Sequence, residues 1–416
     1  MKKIIVQKFG GTSVGSPERI KAVADICKKT IQREACELVV VVSAMGHTTD
    51  ELCELMSQIT QSPVPREYDM LLSSGEQVST SLLSMALSSV GLDGHSMLGW
   101  QAGIKTSGVH RKAKIENVDT SYISSILSKG KIPVVAGFQG YAENKEVTTL
   151  GRSGSDTSAV ALAVALGAER CDIYTDVDAV HTTDPRIVKN TGSLKLITYD
   201  EMLELASLGA RVLHPRSVEI ARNYNMPMRV RSSWKPENEG TLVVKNIDGR
   251  NETMIEGQKS VRGVALDKKH ARLSILGVPD EPGIAYKIFG QLASKGISID
   301  IIIQCASQDG IAELDFTVDL DDADKAQTEL EKIAKEINAQ STILDKSIVK
   351  VSAVGAGMID QPGVAAKMFK ALADKKINIH MISTSEIRIS CIVDEKDGEL
   401  AVQTIHDAFN LDTVTE

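Results

Sequence analysis

Residues 280–302 recur, without a gap, as residues 360–382. Twelve of these 23 positions are identical across the offset of 80, among them Pro282/Pro362, Gly283/Gly363, Phe289/Phe369 and Ile297/Ile377. An internal copy of this kind limits the fold, because each copy must bury its own apolar face or pair with the other. Each copy reads strand, Pro-Gly turn, helix, strand. A further strand-like run and a second helix follow, at 325–337 in the first copy. That is the ferredoxin-like βαββαβ order. Such a unit leaves one sheet face bare, so two tandem copies are expected to pack side by side.

At 416 residues the chain is too long for one ordinary core. Ahead of the repeat, short β-branched runs at 4–6, 38–42, 132–136, 173–175 and 228–230 alternate with helical patterns. Residues 19–32 place Ile20, Val23, Ala24, Cys27 and Ile31 near a 3.6-residue period, and 158–166 is Ala-rich. Continuous apolar strands between helices predict an α/β domain with a mainly parallel sheet covered on both faces. A turn cluster at 232–240 and a polar stretch at 248–258 mark the boundary. The expected division is a domain at 1–240, a linker at 241–262, and repeat domains at 263–345 and 346–416.

The net charge of −8 argues against nucleic acid or an anionic membrane as partner, since both call for a basic surface. The six cysteines, at 27, 36, 53, 171, 305 and 391, form no CxxC pair and no zinc pattern with histidine. Reduced thiols and a cytoplasmic location are expected. The N-terminus runs straight into a strand pattern without a signal-peptide stretch, and the apolar runs at 38–42 and 159–168 fall far short of the ~20 residues that span a bilayer.

Lys8-Phe9-Gly10-Gly11-Thr12-Ser13 follows the first strand and precedes the first helix. Two glycines allow a ligand close to the backbone, helix-start amides face an anion, and Lys8 adds a full positive charge. An ordinary tight turn is the commoner explanation of a bare Gly-Gly, and neither GxxxxGK[ST] nor GxGxxG is present. A second glycine-rich turn, 149–156, precedes the Ala-rich helix; there Asp156 suits either an N-terminal helix cap or a functional carboxylate.

The segment at 8–14 resembles the signature that opens the aspartokinases, within the amino-acid kinase superfamily. The resemblance extends in order through Val42-Ser43-Ala44-Met45-Gly46, Ser74-Gly75-Glu76, Gly137-Phe138-Gln139-Gly140, residues 148–156, Tyr174-Thr175-Asp176-Val177-Asp178, Asp184-Pro185-Arg186 and Val212-Leu213-His214-Pro215. It covers essentially the whole chain, and the tandem repeat resembles two ACT domains. It implies a carbamate-kinase-like sheet sandwiched by helices, followed by two ferredoxin-like ACT domains. The implied activity is transfer of the γ-phosphoryl group of ATP, with Mg²⁺, to the β-carboxylate of L-aspartate. The product is 4-phospho-L-aspartate, the first step toward lysine, threonine and methionine.

The resemblance also implies residue roles. Lys8, Asp156 and Arg211 are catalytic. Thr48, Glu76, Arg152 and Ser155 bind aspartate, with Glu76 on the α-ammonium and the planar Arg152 guanidinium on the α-carboxylate. A solvated carboxylate at a helix start accounts for Glu76 equally well. Lys8, Gly10, Gly11, Thr12, Ser13, Ser43, Thr175, Asp176, His181, Asp184, Arg186, Arg211 and Val212 meet the nucleotide, and Mg²⁺ arrives on ATP without a protein metal site. Three residues depart from the family pattern: Ser153 for glycine, His181 for tyrosine and Arg211 for lysine. Ser153 carries a Cβ, so a positive φ there would strain the loop.

In the repeat, Asp280, Gly283, Ile284, Ser298, Asp300 and Gln304, with Asn378, Ile379, Thr384, Ser385 and Glu386 of the second copy, are the implied effector residues. Lysine, threonine or both are the implied effectors, and a homodimer or larger assembly is expected. Met254 is a candidate internal start for a shorter regulatory subunit. The rival readings are a kinase for glutamate, N-acetylglutamate, UMP or carbamate, and an amino-acid sensor built on an inactive kinase fold.

Overall fold

A computed structural model describes residues 2–208, 212–246, 259–305, 310–358 and 361–412. Arg211 and Met254 lie outside the described residues.

Eight strands build the main sheet: β1 (Ile4–Phe9), β2 (Glu37–Val42), β3 (Gly94–Met97), β4 (Ile132–Ala136), β5 (Arg170–Thr175), β6 (Leu196–Thr198), β7 (Met228–Ser232) and β8 (Thr241–Val244), in the order β6-β8-β7-β5-β1-β2-β4-β3. Every pairing is parallel except β7 with β8. Residues 5–9 of β1 and 38–42 of β2 are buried without interruption, as strands covered on both faces must be. The helix Pro17–Glu34 begins where Ser16 accepts the Arg19 amide at 3.3 Å and proline takes the first helical position. It buries Ile20, Val23, Ala24 and Cys27 against one face of the sheet, while Ile31 is only partly covered.

Two of the expected limits shift. The expected domain end at 240 cuts off β8, which pairs with both β6 and β7. The two repeat units are also not consecutive. The first is a four-stranded sheet of β10 (His270–Pro279), β11 (Ile299–Gln304), β12 (Ile311–Asp319) and β13 (Ser341–Asp345), in the order β11-β12-β10-β13. The second contains β14 (Ile348–Val354), β15 (Met381–Ser385) and β16 (Arg388–Asp394). Its fourth strand is β9 (Gly263–Asp267), which runs antiparallel to β14 from before the first unit. The expected unit at 263–345 therefore gives up its opening strand, and the first unit is an insertion within the second. Ile301 and Ile303 of β11 join Ile348, Met381 and Ile392 in one apolar cluster, so the units do pack together.

The second unit is bolted to the N-terminal part. The Val264 amide donates to the Thr182 carbonyl at 2.7 Å, and the Thr182 hydroxyl meets Leu411 O and His406 Nε2, each at 3.0 Å. The Ala356 amide donates to Oε1 of fully buried Glu201 at 2.9 Å, and Arg388 pairs with Glu204 at 2.9 Å. Among the described residues no helix is long and apolar enough to cross a membrane.

Candidate active site

The carboxyl ends of β1, β2, β4 and β5 gather the chemistry, as open parallel sheets do. Lys8, next to last in β1, is buried, and its Nζ lies 2.6 Å from Oδ1 of Asp156. Asp156 is the third residue of the helix Gly154–Ala165, and the cap position belongs to Ser153. The cap alternative for Asp156 is thus removed, because its carboxylate reaches back across the sheet to Lys8. The turn after β1 depends on its glycines. A Cβ at Gly11 would stand 2.9 Å from the Ala44 carbonyl, and one at Gly10 would meet the Lys8 ammonium at 3.4 Å. The Gly46 amide donates to Gly11 O at 3.1 Å, locking this turn to the one after β2. Ser43 is partly buried there, and its amide donates to Phe9 O at 3.1 Å.

Gly11 and Thr12 line this turn, and Thr12 is exposed. Ser13 is different: its hydroxyl sits 2.8 Å from Ser233 Oγ and its amide donates to Gly10 O at 2.9 Å. Both polar groups of Ser13 are thus engaged in holding the turn.

Glu76 lies in the first turn of the helix Ser74–Ser89 and is only 3% exposed, so it is not the solvated carboxylate of the alternative reading. Its Oε1 accepts the Ala44 amide at 3.1 Å, while Oε2 has no hydrogen-bond partner among the described residues. Burial lifts this carboxyl from 4.5 to about 8, a shift the Ala44 amide only moderates. Gly75 lets the helix approach so closely, since a Cβ there would lie 2.8 Å from the Ala44 side chain and 3.6 Å from Thr48 Cγ2. Thr48 opens the helix Thr48–Ile59 beside it.

The stretch 137–140 links this corner to the Lys8–Asp156 pair. Ser155 is buried against Gly137, where a Cβ would approach to 2.7 Å, and Gln139 Nε2 donates to Ser73 O at 2.8 Å. Arg152 is exposed, between Gly151 at φ +81° and Ser153 at φ +52°. The serine thus adopts the strained conformation its Cβ disfavours.

At the end of β5, Asp176, His181, Asp184, Arg186 and Val212 line one cavity of about 460 Å³, and Thr175 adjoins it with its hydroxyl 3.0 Å from Asp176 Oδ1. His181 is held by Asp178 at 2.9 Å and Thr191 at 3.1 Å. Asp184 is held below the ordinary carboxylate range by hydrogen bonds from Arg186. Val264, Ala265 and Leu266 of β9 form the far wall.

The amino acid kinase family model matches residues 3–232, and ACT-domain models match 271–338 and 351–409. The chain is 51% identical over 410 residues to an aspartate kinase of Pseudomonas putida, covering 98% of each sequence. It is 50% identical over 410 residues to aspartokinase 2 of Bacillus subtilis, again covering 98% of each. The chain belongs to the aspartokinase family. It is a kinase with two C-terminal ACT domains. The fold superposes with a TM-score of 0.78 on E. coli aspartokinase III in complex with aspartate and ADP, at 25% identity, covering 98% of this chain and 99% of that one.

In the ACT domains of this aspartokinase, Gly283 and Gly363 carry φ of +93° and +96° at the starts of the helices Ile284–Ser294 and Val364–Asp374. Asp280, Ser298, Asp300 and Gln304 are exposed, and Ile284 is buried. Asp300 already holds buried Lys350 of the second domain, at 2.5 Å. Asn378 and Thr384 are exposed and Ile379 is partly buried. Ser385 and Glu386 line a cavity of about 850 Å³ shared with Asp200, Glu204, Arg222 and Lys245, so these two face the catalytic part. Asp69, the Thr149 hydroxyl, Arg216 and Ser233 also brace these loops and were not expected from the sequence. Ser233 lay inside a stretch that read only as a boundary, and Asp69 carries no local signal.

Proposed function

We propose that this aspartokinase transfers the γ-phosphoryl group of ATP to the β-carboxylate of L-aspartate, giving 4-phospho-L-aspartate at the head of lysine, threonine and methionine synthesis. The observation that carries the proposal is the opposite polarity of two buried groups: a lysine ammonium at the end of β1, and a bare carboxyl oxygen on Glu76. An acceptor with an ammonium at one end and a carboxylate at the other satisfies both.

The acceptor carboxylate, with a reference pKa of ~3.9, is already ionised at neutral pH, so no general base is required. The barrier is the approach of one anion to another. Catalysis then consists of positioning and electrostatic stabilisation. Lys8 neutralises the transferring group, and Asp156 orients the ammonium. Gly10, Gly11 and Thr12 let the phosphates approach the backbone, and Arg211 adds charge. Arg152 takes the α-carboxylate, Glu76 the α-ammonium, and Thr48 and Ser155 the remaining edges. Mg²⁺, bound to the phosphates, would spread their charge.

Lysine, threonine or both act as feedback effectors at the turns around Gly283 and Gly363, in a cytoplasmic homodimer or larger assembly. Inhibition requires a different effector affinity for two conformations. The test is hydroxamate formation from ATP, hydroxylamine and aspartate, with glutamate, N-acetylglutamate and carbamate as controls, with and without lysine and threonine. Product with aspartate alone among the acceptors is expected. Product with another acceptor, or none with aspartate, would refute the proposal.

A further inference from the structure

Asp69 is fully buried on the helix Pro65–Leu72, outside every role assigned above, and three groups converge on its carboxylate. The Thr149 hydroxyl donates to Oδ1 at 2.6 Å, the Arg111 amide reaches both oxygens at 3.1 and 3.0 Å, and His110 Nδ1 lies 2.8 Å from Oδ2. His110 Nε2 faces Glu146 at 3.4 Å, and Glu146 is also held by Arg66 at 3.1 Å. A buried carboxylate supplied with this many donors is a rigid joint.

The joint connects the two ends of the proposed aspartate site. On one side, the Asp69 carbonyl accepts the Ser73 amide at 3.0 Å, where its helix passes into the one carrying Glu76. On the other, Thr149 stands three residues before Arg152. The Thr149 carbonyl accepts the Ala113 amide at 2.9 Å, and Arg216 donates to the Leu150 and Ala113 carbonyls at 3.1 and 2.9 Å. Beyond these anchors the loop turns at Gly151 and Ser153, and the Arg152 side chain has no partner among the described residues. The base of the loop is therefore fixed and its tip is free for a ligand.

We propose that Asp69 is a positioning residue that sets the separation between Glu76 and Arg152, and so selects an acceptor bearing ammonium and carboxylate on one carbon. The proposal rests on the substrate roles given above to Glu76 and Arg152. Asp69 touches no substrate; it acts through Thr149.

The test is steady-state kinetics of the full chain with each substrate varied. Asp69→Asn and Thr149→Val are each expected to raise KM for aspartate about tenfold, the loss of one charge-assisted hydrogen bond. KM for ATP should stay within about twofold, because the nucleotide cavity shares none of these residues. Thr149→Ser, which keeps the hydroxyl, should restore KM, and the double variant Asp69→Asn/Thr149→Val should be no worse than the weaker single. Equal rises in both KM values, additive effects in the double variant, or a lowered melting temperature with unchanged KM would each overturn the proposal. Arg152→Ala serves as the reference. If it raises KM for aspartate while Thr149→Val does not, Asp69 positioning alone falls. If Arg152→Ala itself leaves KM unchanged, the substrate role of Arg152 falls and the proposal with it.

Discussion

Replacing Glu76 by glutamine should change the pH dependence of stability in a direction that few substitutions share. Burial holds the Glu76 carboxyl at about 8 instead of 4.5. That difference corresponds to about 5 kcal/mol in the free energy of ionisation. The sign follows from proton linkage. The folded state keeps a proton that the unfolded chain has lost, so the neutral acid's contribution is complete below 4.5 and disappears as pH rises through 8. Glutamine has the same shape and does not titrate. Glu76→Gln should therefore be close to wild type at pH 5 and gain on it by about 3–4 kcal/mol by pH 8. Urea unfolding followed by tryptophan fluorescence measures this, because both tryptophans, Trp100 and Trp234, lie in the N-terminal part. Saturating aspartate should narrow the gap in wild type alone, since the incoming ammonium supplies the partner that Oε2 lacks. A stability difference that stays flat from pH 5 to 8 would refute the reasoning, for it would mean the carboxyl ionises normally in the fold.

Calorimetry of aspartate binding at pH 7 in buffers of different ionisation enthalpy should show release of about 0.9 proton in wild type and none in Glu76→Gln. Lys8→Ala leaves Asp156 buried without its cation and should lower kcat by at least about 10²-fold, measured by coupled ADP release, while calorimetric binding of lysine or threonine persists. Ser153→Gly removes a Cβ from a residue at φ +52° and should raise stability by about 1 kcal/mol, read as a higher melting temperature with unchanged kcat. Thr182→Val strips the hydroxyl shared by His406, Leu411 and the Gly192 amide and should cost about 1–3 kcal/mol, read by urea unfolding.

The strands were legible because β-branched runs buried on both faces leave a continuous apolar signature, as 38–42 does. The repeat announced two units of one kind. It could not show that one is inserted in the other, because β9 carries no residue that distinguishes β14 from β10 as its neighbour; only packing chooses. Likewise β8 looked like linker, being a short run just past a turn cluster. In the site, the strained Ser153 followed from a Cβ standing where glycine is usual. The burial of Glu76 did not, since Ser-Ser-Gly-Glu is polar in composition and Glu76 is buried where Gly75 lets its helix close on Ala44. The contact of Ser13 with Ser233 joins residues 220 apart in sequence and has no local signal. Asp69 is the extreme case: its partners at 110, 111 and 149 are brought together by tertiary structure alone.

In the proposed site, Oε2 of Glu76 at one end and the Lys8 ammonium at the other hold aspartate between them. A crystal structure with L-aspartate and ADP tests it most directly. The aspartate ammonium is expected within hydrogen-bond distance of Glu76 Oε2, the α-carboxylate on Arg152, and the β-carboxylate directed toward Lys8. Aspartate bound with its ammonium away from Glu76, or with Lys8 facing neither the β-carboxylate nor a phosphate, would contradict it.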